Sequence, residues 1–261
     1  MSKKNNKADN RALGMIAVNN TKNVDGKKLK KKIEKDWKNF PKIANINDDN
    51  GVITLFLKNN DAFFAMFIPK PIPWSDLEGP CATAYLWPKA TEEMKNHTGH
   101  YIVSFTGTQS NYSILEQSLL VTKLMISIAE ITDIIGFYWG SGTVVNSPKL
   151  FINEGKACFK DGILPVFLWI DYRIQRNKDK SYNIITTGMN TFGHKEIEVH
   201  NTKKNPNDLL DYLWFLTRYL IEKGPIIKDG DTFGMNAKDK SKVRFAPSLW
   251  DRPDVMILEF N

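Results

Sequence analysis

Gly51–Pro69 reads GVITLFLKNNDAFFAMFIP, and this stretch decides the fold class. Two runs rich in β-branched and aromatic residues, Gly51–Leu57 and Ala62–Ile68, flank KNNDA. Asn59-Asn60-Asp61 supplies a tight turn, so the segment is expected to form a β-hairpin. Pro69, Pro71 and Pro73 end it, because proline removes ladder donors. On the N-terminal side, Ala12–Asn19 reads as a strand. Asp25–Lys38 reads as a helix with Leu29, Ile33 and Trp37 on one stripe. On the C-terminal side, Ser75 and Glu78 have capping-box spacing for a short helix, with a start nearer Gly79 and Pro80 at its first position as the alternative; a second helix covers Ala90–His97, and Tyr101–Thr106 is a strand.

That order is β-α-β-β-α-β, the order of a ferredoxin-like unit. Ile114–Ile131 is an apolar helix expected to lie buried. Beyond it the pattern roughly recurs. Ile134–Trp139 is a strand, and Ser147-Pro148 opens a helix to about Phe159. Leu164–Ile174 and Tyr182–Thr187 form a hairpin, and Glu196–His200 is a strand. Asn207–Lys223 is an amphipathic helix stopped by Gly224-Pro225. Short strands are expected near Asp231–Gly234, Val243–Ala246 and Val255–Phe260. The expected fold is therefore α+β, with two ferredoxin-like (βαββαβ-type) halves joined by a buried helix in one compact unit. Residues 1–10 form a flexible tail, 11–110 the first half, 111–132 the connecting helix and 133–261 the second half.

Composition narrows the function classes. The 261 residues carry a net charge of +7, with 42% hydrophobic and 25% charged residues, ordinary values for a folded domain. The charge is unevenly spread. Residues 1–38 hold twelve Lys/Arg against four Asp/Glu, while the rest holds 24 against 25. A balanced main body argues against nucleic acid as a partner. The lysines around Lys28, Lys31 and Lys32 read first as a solvated helix face, with an anionic surface as the weaker alternative. No apolar run is long enough to cross a membrane, and no secretory leader is seen. With two cysteines, Cys81 and Cys158, the expected compartment is the cytoplasm and the expected thiol state reduced.

Three blocks carry a family resemblance: PIPWSDLEGPCATAYLWP at Pro71–Pro88, GFYWGSGTVVNSP at Gly136–Pro148, and GPIIKDGDTFG at Gly224–Gly234. Together they resemble a bacterial family catalogued as domain of unknown function 4261, over about Leu13 to Phe260. The resemblance implies a cytoplasmic bacterial protein and no established activity. Comparable small α+β families that neutralise secreted toxins offer an analogy of architecture only.

Site candidates are few. Trp74, Asp76 and Glu78 lie in a Pro-rich loop, where they can rim a pocket or simply cap and staple a helix. Gly140-Ser141-Gly142 lies between a strand and a helix, where backbone amides can hold an anion, although neither nucleotide-binding fingerprint is present. His97 and His100 have HxxH spacing without further metal ligands, so no metal or cofactor is expected. Lys228–Thr232 resembles half a calcium loop, but Asp231 lacks the partners that calcium requires. Two function classes follow. The first is a noncatalytic protein-binding or regulatory module, immunity-like, using Trp74, Trp139, Gly140, Gly142, Asp231 and Trp250. The alternative is a hydrolase or transferase in which Asp76, Glu78, His100, Ser141 and Glu154 converge between the halves.

Overall fold

The computed structural model describes residues 11–19, 23–59, 61–106, 111–236, 239–250 and 252–260; the tail expected over residues 1–10 lies outside them. The chain is mixed α+β and divides into two compact units. The units do not follow the expected halves. The first takes Met1–Ile72 and Asn96–Gly140, the second Pro73–Lys95 and Ser141–Asn261.

The first unit contributes β1 (Leu13–Val18), β2 (Ile43–Asp49), β3 (Val52–Leu57), β4 (Ala62–Ile68), β5 (Gly99–Thr106) and β6 (Ile134–Trp139) to one sheet. Their order is β2-β3-β4-β5-β1-β6, and every neighbouring pair among them is antiparallel. The expected hairpin is β3–β4, closed by Leu57 N–H to Asp61 O at 2.8 Å. Strand β2 was not expected. Only Ile43 on it is buried, so it lacks the alternation that marks a half-buried strand. Its hairpin signal was nevertheless present. Asn50 and Gly51, at φ 49° and 80°, are the Asn-Gly pair that tight hairpins favour. Because β2, β3, β4 and β5 run as a consecutive meander, the chain after helix α1 (Gly26–Asp36) reaches an edge strand. The path through α1 therefore makes no split βαβ unit, whereas β5 and β6, joined through the helix at Ile114–Ala129, flank β1 and do form one; the βαββαβ order of a ferredoxin-like half is not found.

Asp25 caps α1 by accepting from Lys28 N–H, and Leu29 and Ile33 bury its inner stripe. Trp37, just past its end, donates Nε1–H to Ser127 Oγ on α4 (Ile114–Ala129) at 2.9 Å. Ser113 and Glu116 make a reciprocal capping box that starts α4. Eleven of the helix's sixteen residues are buried, as its apolar composition requires. It belongs to the first unit.

The second unit begins with α2 (Trp74–Ala82) and α3 (Ala90–Met94). The N-cap of α2 is Pro73, with no side-chain cap, so Ser75 sits inside the first turn and not at the expected cap. There follow β7 (Val144–Asn146), one π-helical turn at Leu150–Glu154, α5 (Gly155–Asp161), β8 (Asp171–Arg176), β9 (Tyr182–Thr187), β10 (Ile197–Thr202), α6 (Pro206–Lys223), β11 (Thr232–Asn236), β12 (Asp239–Ala246) and β13 (Val255–Phe260). The last six strands form a sheet ordered β11-β12-β13-β10-β9-β8, in which only β10–β13 is parallel. Asn205 caps α6, Pro206 takes the first helical position, and Gly224 at φ 85° follows its end. The helix is tied to the sheet by two tyrosines. Tyr172 OH meets Thr217 Oγ1 at 2.7 Å, and Tyr212 OH meets Ser241 Oγ at 2.7 Å and donates to Phe233 O.

Candidate functional site

Within the second unit, Asp76 stands exposed in the first turn of α2 and Glu78 exposed just beyond it, and Glu154 is exposed at the end of the π-helical turn. Ser141 Oγ is enclosed without a hydrogen-bond partner. His100 belongs to the first unit. There, its Nδ1 lies 2.7 Å from Lys70 O, and His97 Nε2 accepts from Ile72 N–H at 2.7 Å. The two histidines thus hold the strand exit at residues 70–72. Burial pushes the His100 pKa down. Among the described residues no group of three or more His, Cys, Asp and Glu side chains is placed to hold a metal. Neither cysteine is activated: burial raises the Cys81 thiol to about 11 and pushes Cys158 up as well.

The expected binding residues have mostly local roles. Trp74 is half-buried under Lys95, whose Nζ lies 4.9 Å from the ring centroid. Trp139 is buried in the first unit. Asp231 closes its own turn by accepting from Lys228 N–H at 2.7 Å. Gly140 is half-buried against Leu13. Gly142 does not open a helix, because β7 intervenes. It packs against the Trp169 carbonyl, where a Cβ would collide, and Gly188 at φ 119° approaches the same oxygen. Both glycines therefore serve close backbone packing.

Two features of the second unit went unseen in the sequence. The first is an apolar surface around Trp214 of α6. A groove of about 220 Å3 is lined by residues including Ile163, Phe167, Trp214 and Phe215. A narrow crevice, lined by Tyr85, Leu86, Phe167 and Trp214 among others, shares two of those walls and holds only about 30 Å3, roughly one water. Tyr85, Leu86, Ile163 and Phe215 are four of the seven large apolar side chains exposed among the described residues, so exposure gathers here. Phe167 and Trp214 stack with ring centroids 5.8 Å apart, and Trp214 Nε1–H is enclosed without an acceptor.

The second feature is a charged layer on the opposite face of the β8–β13 sheet from α6. Register places Arg173, Ile185, Glu198, Ile257 and Arg244 in one row across five strands. Their neighbours two residues away, Asp171, His200 and Glu259, share that face. Glu198 is fully buried. Its carboxylate accepts from His200 Nε2–H at 2.7 Å, from Ser248 Oγ–H, and from Leu249 N–H. Trp250 meets the His200 ring edge-on with centroids 5.9 Å apart. Arg252 donates to Thr186 O and Thr187 Oγ1. One carboxylate thereby clamps the loop between β12 and β13 onto the sheet. Ser248 directs its proton to Glu198, not to His200, so these three do not form a Ser-His-acid relay. Beside them Asp171 is buried and bonded by Arg173 Nε–H at 2.6 Å. Burial outweighs the Arg173 and Arg252 charges and lifts its pKa to about 6.

At the centre of that sheet β10 and β13 separate. They share register only at Ile197–Met256 and Glu198–Ile257. Past those pairs a cavity of about 640 Å3 opens between residues 199–204 and 257–260, with Arg244 on its wall.

Residues 185–259 match the family described as Domain of unknown function (DUF4261). The match runs from within β9 into β13 and so takes in the Glu198 clamp, Trp214 and the β10–β13 gap. The chain resembles that family, and of the three sequence blocks only Gly224–Gly234 falls inside the match. No curated protein and no solved structure matches the chain.

Proposed function

We propose that the protein is a noncatalytic binding module that holds, and so regulates or neutralises, another protein. The observation that carries this reading is the apolar surface around Trp214, where Tyr85, Leu86, Ile163 and Phe215 are exposed together. Interfaces draw most of their affinity from a few aromatic, Arg and apolar anchors within a water-excluding ring. Trp214 and Phe167 form such a centre, and Arg218, 5.7 Å from the Phe215 ring, forms part of the edge. The occupant that fits is a protein patch presenting apolar side chains to Tyr85, Leu86, Ile163 and Phe215. The cytoplasm is the proposed compartment, in keeping with two unpaired cysteines. The anionic-surface alternative is weakened because Lys32 is bound at 2.9 Å to both Asp36 and Glu130. No helix among the described residues is long and apolar enough to cross a membrane.

The test compares quantitative capture from the native cell extract by the unaltered chain and by a Leu86→Arg/Phe215→Glu variant with the same melting temperature. The expected result is one protein in near-stoichiometric amount, lost with the variant and rebound directly when purified. Equal recovery with both chains, or recovery of the bait alone, overturns the reading.

A further inference from the structure

A sheet whose two central strands part company exposes backbone edges that ordinary strands spend on each other. Strands β10 and β13 leave register after Glu198 and Ile257, and no further register pair joins them among the described residues. Strand β13 keeps its other edge paired to β12 as far as Phe260 with Ser241. Strand β10 has its other edge on β9, with an irregularity between Val199 and Thr202 and Asn201 at φ 47°. Beyond Glu198 and Ile257 the two edges are thus held in place from outside while lacking each other, with Asn201 N–H taken by Asn183 Oδ1 at 2.8 Å and Lys204 N–H by Thr202 Oγ1 at 3.2 Å. Unpaired strand edges are templates for a further strand. The gap holds about 640 Å3, inside the range of about 300–1,000 Å3 typical of ligand sites.

The charge of the lining selects the occupant. Lys203, Lys204 and Arg244 line the gap, against one carboxylate, Glu259, already bonded to Arg244 at 2.9 Å. Val199, Ile257, Leu258 and Phe260 supply apolar wall. Alternating polar and apolar surface beside a free edge is what an extended strand meets.

We propose that the gap between β10 and β13 is a docking slot for an extended acidic segment of a partner protein, which adds as a strand along the free edge of β10. Main-chain hydrogen bonds hold the segment, and its carboxylates face Lys203, Lys204 and Arg244. The slot shares no lining residue with the Trp214 surface, so each can fail without the other.

The experiment is fluorescence anisotropy on the full chain with a labelled peptide of alternating Glu and Thr. The controls are the same peptide N-methylated at alternate amides, a Lys-Thr counterpart, and inorganic phosphate. Lys203 is exposed, so Lys203→Glu is expected to keep the fold, and Lys203→Arg keeps the charge. The expected outcome is binding of the Glu-Thr peptide, weakened about tenfold by N-methylation and about tenfold by Lys203→Glu, and retained with Lys203→Arg and with Leu86→Arg. Amides in 199–204 gain protection from hydrogen exchange when that peptide binds. Absence of binding, equal binding of the N-methylated or Lys-Thr peptide, or the same protection from phosphate alone overturns the proposal.

Discussion

The two sheets solve the same problem with different margins. In the first unit, six strands pair antiparallel with irregularities only at Ala17/Val18 and Ile43/Asn45, and each neighbouring pair shares at least five register positions; Tyr101 OH accepts from Val24 N–H, and His97 and His100 hold the chain at residues 70–72. In the second unit, the sheet carries buried Asp171, Glu196 and Glu198, and its central parallel pair lasts only two register positions. Natural sequences break the rules of consistent packing mainly where function requires it. The contrast teaches where selection has tolerated cost, and the family match, residues 185–259, falls on that sheet and on α6.

The sharpest way to break the comparison is a pair of glycines. Gly142→Ala drives a Cβ into the Trp169 carbonyl, which is backbone and cannot swing aside. Its expected cost exceeds about 4 kcal/mol, seen as loss of folded protein in urea titration. Gly14→Ala in the first unit meets mainly the flexible end of Met125, so a cost of only about 1–2 kcal/mol is expected. Equal costs would remove the distinction.

Asp171 provides the next test. Its folded pKa, about 6, lies above the ordinary 3.8. Its contribution to stability is therefore fully present below the ordinary value and is lost as pH rises through about 6. The shift corresponds to roughly 3 kcal/mol. Asp171→Asn should lack this loss, so the variant gains on the parent between pH 4 and 6.5, measured by urea unfolding at several pH values. A constant difference across that window would place the group in an ordinary environment.

Glu198→Ala should cost about 2 kcal/mol, because His200, Ser248 and Leu249 N–H all lose their acceptor. It should also speed hydrogen exchange around residues 248–250, with no change in the first unit. The smallest effect is expected from Lys32→Ala, about 0.5 kcal/mol and reduced by salt, since its ion pairs with Asp36 and Glu130 are partly exposed.

Much of the fold was legible because long periodic segments declare themselves. The 51–68 hairpin, α4 and α6 all follow apolar spacing with recognisable caps or turns. Strand β2 was hidden by exposure on nearly every residue, and β7 by having only three residues. Strand order was not legible at all, since the order of elements along the chain does not say which strands pair. The site was less legible still. In KEIEVHN at 195–201, Glu198 and His200 alternate with apolar residues, which reads as a solvent-facing edge of a half-buried strand. Only the loop carrying Ser248 and Trp250, about fifty residues away, turns that face inward. Trp214 left a trace. With Phe215 it widens the apolar stripe of α6 beyond what one packed face needs.

Helix α6 has a mechanical consequence. The second sheet is two three-stranded blocks, β11-β12-β13 and β10-β9-β8, stitched together at two register positions. One tyrosine bond fastens α6 to the first block through Ser241 and another fastens it to the second through Tyr172. The helix is therefore a splint across a seam. Under load or thermal agitation the blocks should shear along β10–β13 while each stays whole, and the stiffness of the unit should reside in the helix, not in the sheet it covers.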